Sequence, residues 1–383
     1  MIAVHCGAGR YSSSPTKRKR YLSLTKKACK KGIDVLNCGG TAVKAVREAI
    51  KVLEDDCLTN SGYGSNLTLD GRVEDEASIM NGSNLVFGAC GVVSQAKNPI
   101  CLAYDIYRRQ LTPQALGLAP VSLLVGDGAD RHAKQAKLKI VKNSKLISRK
   151  SLRQYKQYKD LLTETVSPPC ISENGQEFNE DLEQHNDNEF RFEVLLDSDL
   201  SDTVGAVCLD DNGDTASGCS SGGVLLKRPG RLAQSAHYGS GVWADSEDKS
   251  SRPSMAVCTT GSGEQLVKTL LAKTIAEDLI KENNQPGVDL HTCMTEKFMK
   301  SRYLKNEFLT KLAGALVLKA DNKNGEVSLM WTHNTLDMGI GYMRKGEKPH
   351  SQISTLPKGS EEGKSINVGG ASFYFNNLNR NSC

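Results

Sequence analysis

The sequence predicts a layered α+β core. Strand patterns gather near the two ends of the chain, and helical periodicity lies between them without a regular βαβ repeat. IAVHCGAG opens as a short strand running into a glycine turn, and from Thr203 the run TVGAVCLD alternates into the hairpin turn Asp211-Asn212-Gly213. AGALVLKA, EVSLMWTHN and MGIGYM are then spaced as consecutive antiparallel strands, and Gly369-Gly370 precedes a last strand, ASFYF.

After the first strand, Arg10 to Arg20 reads as a polar, basic loop. TAVKAVREAIKVL sets Val43, Val46, Ala49, Ile50 and Leu53 at helical spacing with charges outward, which predicts an amphipathic helix over 41–53. LTLDGRV reads as a hairpin, Leu85 to Val93 as a buried strand, and Pro99 to Arg109 as a helix. Arg131 to Tyr158 offers a ragged apolar stripe consistent with one basic helix. EQLVKTLLAKTIAEDLIKE predicts a single long helix with Leu266, Leu270, Leu271, Ile275 and Leu279 along one side.

With 383 residues, of which 38% are hydrophobic and 24% charged, the chain can bury one large core or two modest ones. This excludes a disulfide-stapled module, a collagen-like repeat and a wholly disordered chain. The net charge of +5 is too small to argue for a nucleic-acid surface, and no zinc-finger, helix-turn-helix or base-stacking motif accompanies it. Its distribution is uneven: residues 131–160 hold eleven basic and one acidic side chain, and residues 161–200 hold eleven acidic and one basic. The segment 167–188, with Pro168-Pro169 and many Glu, Asn and Gln residues, is expected to form a mobile loop. Twelve cysteines without a CxxC pair predict a reducing compartment, and no run approaches the roughly 20 apolar residues of a membrane span. The seven histidines (His5, His132, His185, His237, His291, His333 and His350) show no metal-helix spacing, so no metal ligand is assigned.

The chemistry-bearing feature is Ser201-Asp202-Thr203-Val204-Gly205, where the acidic segment meets a buried strand. A threonine hydroxyl is a poor nucleophile. Cleavage before Thr203 would give it a free amine, with a pKa of about 7.7 to 8.0, able to take the hydroxyl proton. Taken alone, Thr203 also suits an ordinary strand start.

TVGAVCLDDNGDTASGCSSGG, then KRPGRLAQSAHYGSGVWA, then TTGSGE resembles the β-subunit core of plant-type asparaginases and aspartylglucosaminidases. HCGAG, GGTAVKAV and NSGYGSNLTLDGRVEDEASIMNG follow the same family's order in the first half. The family consists of N-terminal-nucleophile hydrolases that cleave themselves before a catalytic threonine. The resemblance therefore implies a four-layer αββα sandwich forming one domain over 1–383. Scission between Asp202 and Thr203 would yield an α chain of residues 1–202, carrying the charged flexible segment 131–202, and a β chain of residues 203–383. Amidase members usually have GRVGD, whose arginine and aspartate clamp the carboxylate and amine of free asparagine. This chain has Gly230-Arg231-Leu232-Ala233-Gln234 and so lacks the amine-binding charge. A peptide-linked aspartate presents no ammonium, so polypeptide substrates fit this site better. The pattern is similar to the threonine-aspartase branch, the taspases.

The resemblance implies Thr203 as nucleophile, Ser221 as the neighbouring hydroxyl, Thr260 and Gly261 as oxyanion donors, and Asn60 near the nucleophile's amine. Arg231 would engage a substrate carboxylate, with Gln234 beside it. Locally, Asn60 and Arg231 also suit turns, Ser221 a small-residue strand, and Thr260-Gly261 a helix-cap loop. No organic cofactor is implied, and a sodium or chloride held by loop carbonyls would leave almost no sequence signature. The implied partners are protein substrates with aspartate at the cleavage position, among them nuclear transcription and chromatin regulators. An (αβ)₂ assembly and a nuclear-import receptor reading the Arg131–Lys159 block or Lys17–Arg20 are also implied, with nuclear and some cytoplasmic residence. No membrane and no direct nucleic acid contact is expected. The rival functions are a small-molecule L-asparaginase or isoaspartyl peptidase, and a non-catalytic scaffold for chromatin proteins.

Overall fold

The computed structural model describes residues 1–11, 14–166, 203–246, 252–281, 285–321 and 325–374. Asp202 and the acidic segment, including the loop expected over 167–188, lie outside the described residues.

The first part runs β1 (Ile2–Gly9), α1 (Pro15–Asn37), α2 (Ala42–Glu54), β2 (Asp75–Asn81), β3 (Phe87–Val93), α3 (Pro99–Arg109), β4 (Leu123–Val125), α4 (Gly126–Gln135) and α5 (Arg149–Val166). From Thr203 onward come β5 (Val204–Leu209), β6 (Thr215–Ser221), β7 (Val242–Asp245), β8 (Ser254–Gly261), α6 (Gly263–Thr269), α7 (Leu271–Ile280) and α8 (Pro286–Cys293). The last strands are β9 (Ala313–Asp321), β10 (Glu326–His333), β11 (Asp337–Met343), β12 (His350–Thr355) and β13 (Asn367–Tyr374).

Among the described residues the strands form an eight-stranded sheet, β12-β11-β1-β5-β6-β2-β3-β4, and a five-stranded sheet, β13-β10-β9-β8-β7. Strand periodicity explains how they stack, because alternate side chains leave opposite faces. In β1, Ile2, Val4 and Cys6 pack with Leu24, Ile33, Val46 and Ile50 of α1 and α2, whereas Ala3 packs between the sheets with Val207, Ala256, Cys258 and Leu316. In β8, Met255 and Val257 turn the other way, onto Leu271, Ile275 and Leu279 of α7. Three apolar seams thus separate four layers, and the αββα sandwich is the fold of this chain. The large sheet mixes both parts of the chain, since β1 lies between β5 and β11.

Five sequence expectations change. The basic stretch expected to be a loop belongs to α1 from Pro15 on. Proline at its first position pre-sets the helical φ, Lys17, Lys19 and Arg20 stay in solvent, and Tyr21, Leu24, Ala28 and Ile33 form the buried stripe. The basic helix over 131–158 is two helices, α4 and α5, with a bridge from Ala96 to Ile140 between them. The single helix after Gly263 breaks at Leu270, which is left-handed (φ 45°) and about half-exposed (47%), so it leaves the apolar stripe. MGIGYM does not continue the β9–β10 sheet: β11 pairs with β1 and β12. Gly369 and Gly370 lie inside β13 rather than before it. A Cβ on Gly369 would stand 2.5 Å from the Trp331 indole nitrogen, so glycine is what lets β13 pair with β10.

Candidate active site

Strand parity brings the predicted catalytic residues to one end of the inter-sheet space. In β5, Val207 and Leu209 face the other sheet, so Thr203, four residues before Val207, starts the strand on that face. In β6, Ser221 shares the face of Cys219 and Ser217. Val204 pairs with Ser220, which sets Ser221 across the ladder from Thr203 one step further along. In β8, Thr260 shares the face of Ala256 and Cys258, and its hydroxyl accepts a hydrogen bond from the Ala8 amide of the large sheet at 3.3 Å. Thr203, Ser221 and Thr260 are all buried.

Gln234 meets the threonine directly, its side-chain amide donating to Thr203 Oγ1 at 2.8 Å. Arg231 lies three residues earlier in the same loop, with Nε and Nη2 donating to the two carboxylate oxygens of Glu264 at 2.8 and 2.7 Å. Gly263 explains how closely these groups gather. A Cβ there would stand 2.5 Å from Gln234 Oε1 and 3.0 Å from Arg231 Nη2. Gly223 leaves similar room, since its Cβ would stand 2.8 Å from Arg231 Nη1.

Asn60 belongs to the wall of an adjoining cavity of about 300 Å³, lined also by Asn66, Gly223, Gly261, Leu312 and Glu362. Its amide donates to the Gly223 carbonyl at 2.8 Å and its Oδ1 accepts from the Asn66 amide at 2.9 Å. Ser221 Oγ accepts from the Gly223 amide at 3.0 Å, so Asn60 and Ser221 grip the same turn. Gly261 has φ 134°, a conformation that favours glycine, and follows Thr260 at the cavity rim. The structure thus gathers Thr203, Gln234 and Arg231 in one cluster and Asn60, Ser221 and Gly223 in a second, with Thr260-Gly261 on the facing sheet.

Sequence reasoning missed the acids beneath this loop. Glu76 of β2 pairs in register with Ser221, and its Oε2 accepts the Ala233 amide at 2.7 Å. Glu74 Oε2 accepts the Gly230 amide at 2.8 Å, and the Glu74 carbonyl accepts Lys227 Nζ at 2.5 Å. Burial raises the Glu76 pKa, with Lys227 opposing, and burial lowers that of Lys227, with Glu76 opposing. Asp75 is pushed up to about 7 by burial, opposed by its hydrogen bond from Ser65. The signal was Glu74-Asp75-Glu76 running into a strand, where three adjacent acids need built-in partners. His5, from the opening motif, sits on the same inner face. Burial drives its imidazole down to about 3, partly offset by the Thr203 backbone, so it is neutral at the site's edge. No group of three or more His, Cys, Asp or Glu among the described residues is arranged to hold a metal ion.

The arrangement sets a buried hydroxyl under an amide donor, with the guanidinium of the same loop held by Glu264. Residues 1–353 match the profile of a family described as Asparaginase. The chain belongs to that family. It is 30% identical over 346 residues to the plant-type L-asparaginase of Pyrobaculum calidifontis, covering 90% of this chain and 97% of that protein. It is also 30% identical over 355 residues to the isoaspartyl peptidase/L-asparaginase of Bos taurus, covering 92% and 96%. To the Xenopus laevis protein of the same name it is 33% identical over 275 residues, covering 72% and 74%. It is a hydrolase of the asparaginase-like, N-terminal-nucleophile type.

Proposed function

We propose that this asparaginase-family hydrolase is a threonine endopeptidase that cuts itself between Asp202 and Thr203 and then cuts other proteins after aspartate, as the taspases do. The observation that carries the reading is Gln234, an uncharged amide on the Thr203 hydroxyl, beside an arginine that suits a carboxylate. A site for free asparagine needs a negative partner for its ammonium, and Gln234 supplies none. A site for an aspartyl peptide needs only the arginine.

In the proposed sequence, Thr203 Oγ1 attacks the Asp202 carbonyl carbon, the C–N bond breaks, and the departing amine takes up the proton. Water then hydrolyses the ester, leaving an aspartate carboxylate on one chain and a free Thr203 amine on the other. In trans, that amine takes the hydroxyl proton while Thr260 and the Gly261 amide stabilise the oxyanion. Both chains would remain together, because β1 is enclosed between β5 and β11. Pairing as (αβ)₂ and action on nuclear regulators belong to the same proposal. Arg131, Lys134, Lys137, Lys139, Lys142 and Lys145 are exposed and accessible to an import receptor.

A second reading is favoured by the names of the relatives: isoaspartyl peptidase or L-asparaginase activity, with Arg231 binding an α-carboxylate. Intact-mass measurement separates the readings when paired with two substrates. Wild type is expected to yield fragments 1–202 and 203–383, Thr203→Ala to stay whole, and only wild type to cut a peptide with one Asp-Gly bond. Ammonia release from free asparagine without peptide cleavage would establish the second reading, and an active Thr203→Ala variant would overturn both.

A further inference from the structure

We infer that Glu264 is a positioning residue that sets Arg231 for a carboxylate of aspartate length, an inference that rests on the peptidase reading above. Its two carboxylate oxygens take Nε and Nη2 of Arg231 side-on, at 2.8 and 2.7 Å, so the guanidinium plane is fixed by a second planar group. The arginine is the inner partner, with 15% of its side chain exposed, and the glutamate lies at the rim with 59% exposed. The arginine is therefore held from the rim through Nε and Nη2, and its other terminal nitrogen, Nη1, lies beside Gly223.

Glu264 is itself held by the fold. It occupies the first turn of α6, directly after Gly263. Lys268 lies one turn on and is engaged with Glu307, while Gln265 next door fixes the 310–312 backbone by donating to the Thr310 carbonyl at 3.3 Å and accepting from the Leu312 amide at 3.2 Å. The hydrogen bonds from Arg231 hold the Glu264 carboxyl below its usual range, so it stays ionised at neutral pH.

An arginine held in this way loses little rotamer freedom when substrate arrives and has a fixed reach. Aspartate and glutamate differ by one methylene. A fixed guanidinium separates them, whereas a swinging one can follow the longer acid. Glu264 thus acts on aspartate selectivity through Arg231, without touching the scissile bond.

The test compares wild type, Glu264→Ala and Glu264→Gln, each checked for folding by its urea midpoint, on two peptides differing only in Asp or Glu before the cut. Glu264→Ala is expected to raise KM for the Asp peptide about tenfold, leave kcat within about threefold, and lower the Asp-over-Glu ratio of kcat/KM about tenfold. Glu264→Gln, which keeps one acceptor, should fall between. Unchanged KM and selectivity would overturn the inference. So would a lower KM, because Glu264 would then be a competitor for Arg231 rather than its support. If wild type cuts neither peptide but hydrolyses an isoaspartyl dipeptide, the peptidase reading fails on its own. The same KM comparison on that dipeptide then decides the role of Glu264, since Arg231 serves either substrate.

Discussion

At the residue scale, one side-chain amide sets the charge beside Thr203. Gln234 donates to Thr203 Oγ1, and a carboxylate at that position could only accept. Gln234→Asp would remove a hydrogen bond of about 1 kcal/mol and, in the proposed endopeptidase, place a negative charge beside both Arg231 and the arriving aspartate. Endopeptidase kcat/KM is expected to fall by about tenfold or more, while ammonia release from free asparagine, read by a coupled assay, rises from background because an ammonium partner has returned. Loss of peptidase activity with no gain of amidase activity would show that residue 234 serves the nucleophile alone. The departure GRLAQ was visible in the sequence because it falls inside a short ordered motif. Its contact with Thr203 was not, since no spacing rule joins positions 31 residues apart whose meeting depends on how the loop after Pro229 folds back.

At the element scale, that loop rests on β2. The Gly230 and Ala233 amides donate to Glu74 and Glu76, and Lys227 reaches the Glu74 carbonyl, so buried acids brace the turn that presents Arg231 and Gln234. Glu76→Ala would strand the buried Ala233 amide and remove the charge opposing the desolvation of Lys227, at a cost of about 3 kcal/mol. The urea midpoint should fall accordingly and kcat/KM should drop more than stability alone explains. Glu76→Gln, which can still accept from Ala233, should recover more than half of both. Equal losses in the two variants would assign the effect to charge rather than to the hydrogen bond. Elements with a simple periodicity were legible: the helix expected over 41–53 is α2 at Ala42–Glu54, and Pro99–Arg109 is α3. Where periodicity was interrupted by one residue it misled. Leu270 reads as one more leucine of a stripe, and only the packing of α7 on β8 turns it outward. The acids of β2 escaped for a related reason, because three charges in a row resemble a solvated turn until a sheet closes over them.

For the whole molecule, the same buried acids tie folding to pH. Glu54, at the end of α2, is fully buried, and burial pushes its carboxyl up to about 8 against the opposing hydrogen bond from the Ile100 amide at 2.9 Å. Asp75 is raised to about 7 in the same way. Their ordinary values are 4.5 and 3.8, so the folded chain binds more protons than the unfolded one from about pH 4 upward, and stability falls as pH rises until each folded pKa is passed. His5 acts in the opposite sense. Its folded value of about 3 lies below 6.5, so it removes stability only as pH falls through 6.5. Above pH 6.5 Glu54 and Asp75 lower stability as pH rises, opposed by the buried Met1 amine, whose pKa burial lowers from 8.0, and beyond about pH 7 Glu54 carries most of the acids' share. In a Thr203→Ala background, which keeps the chain intact under either functional reading, Glu54→Gln should preserve the acceptor for Ile100. It should also remove on the order of 2 kcal/mol of the stability lost between pH 6.5 and 8. Urea unfolding at those two pH values measures this directly. If Glu54→Gln keeps the parental difference between them, the carboxyl is already ionised in the folded chain and Asp75 or Glu76 must carry the slope. If the difference shrinks, a neutral acid lies behind Ser61 and Ser220, whose hydroxyls are 2.6 Å apart in the layer beneath Ser221.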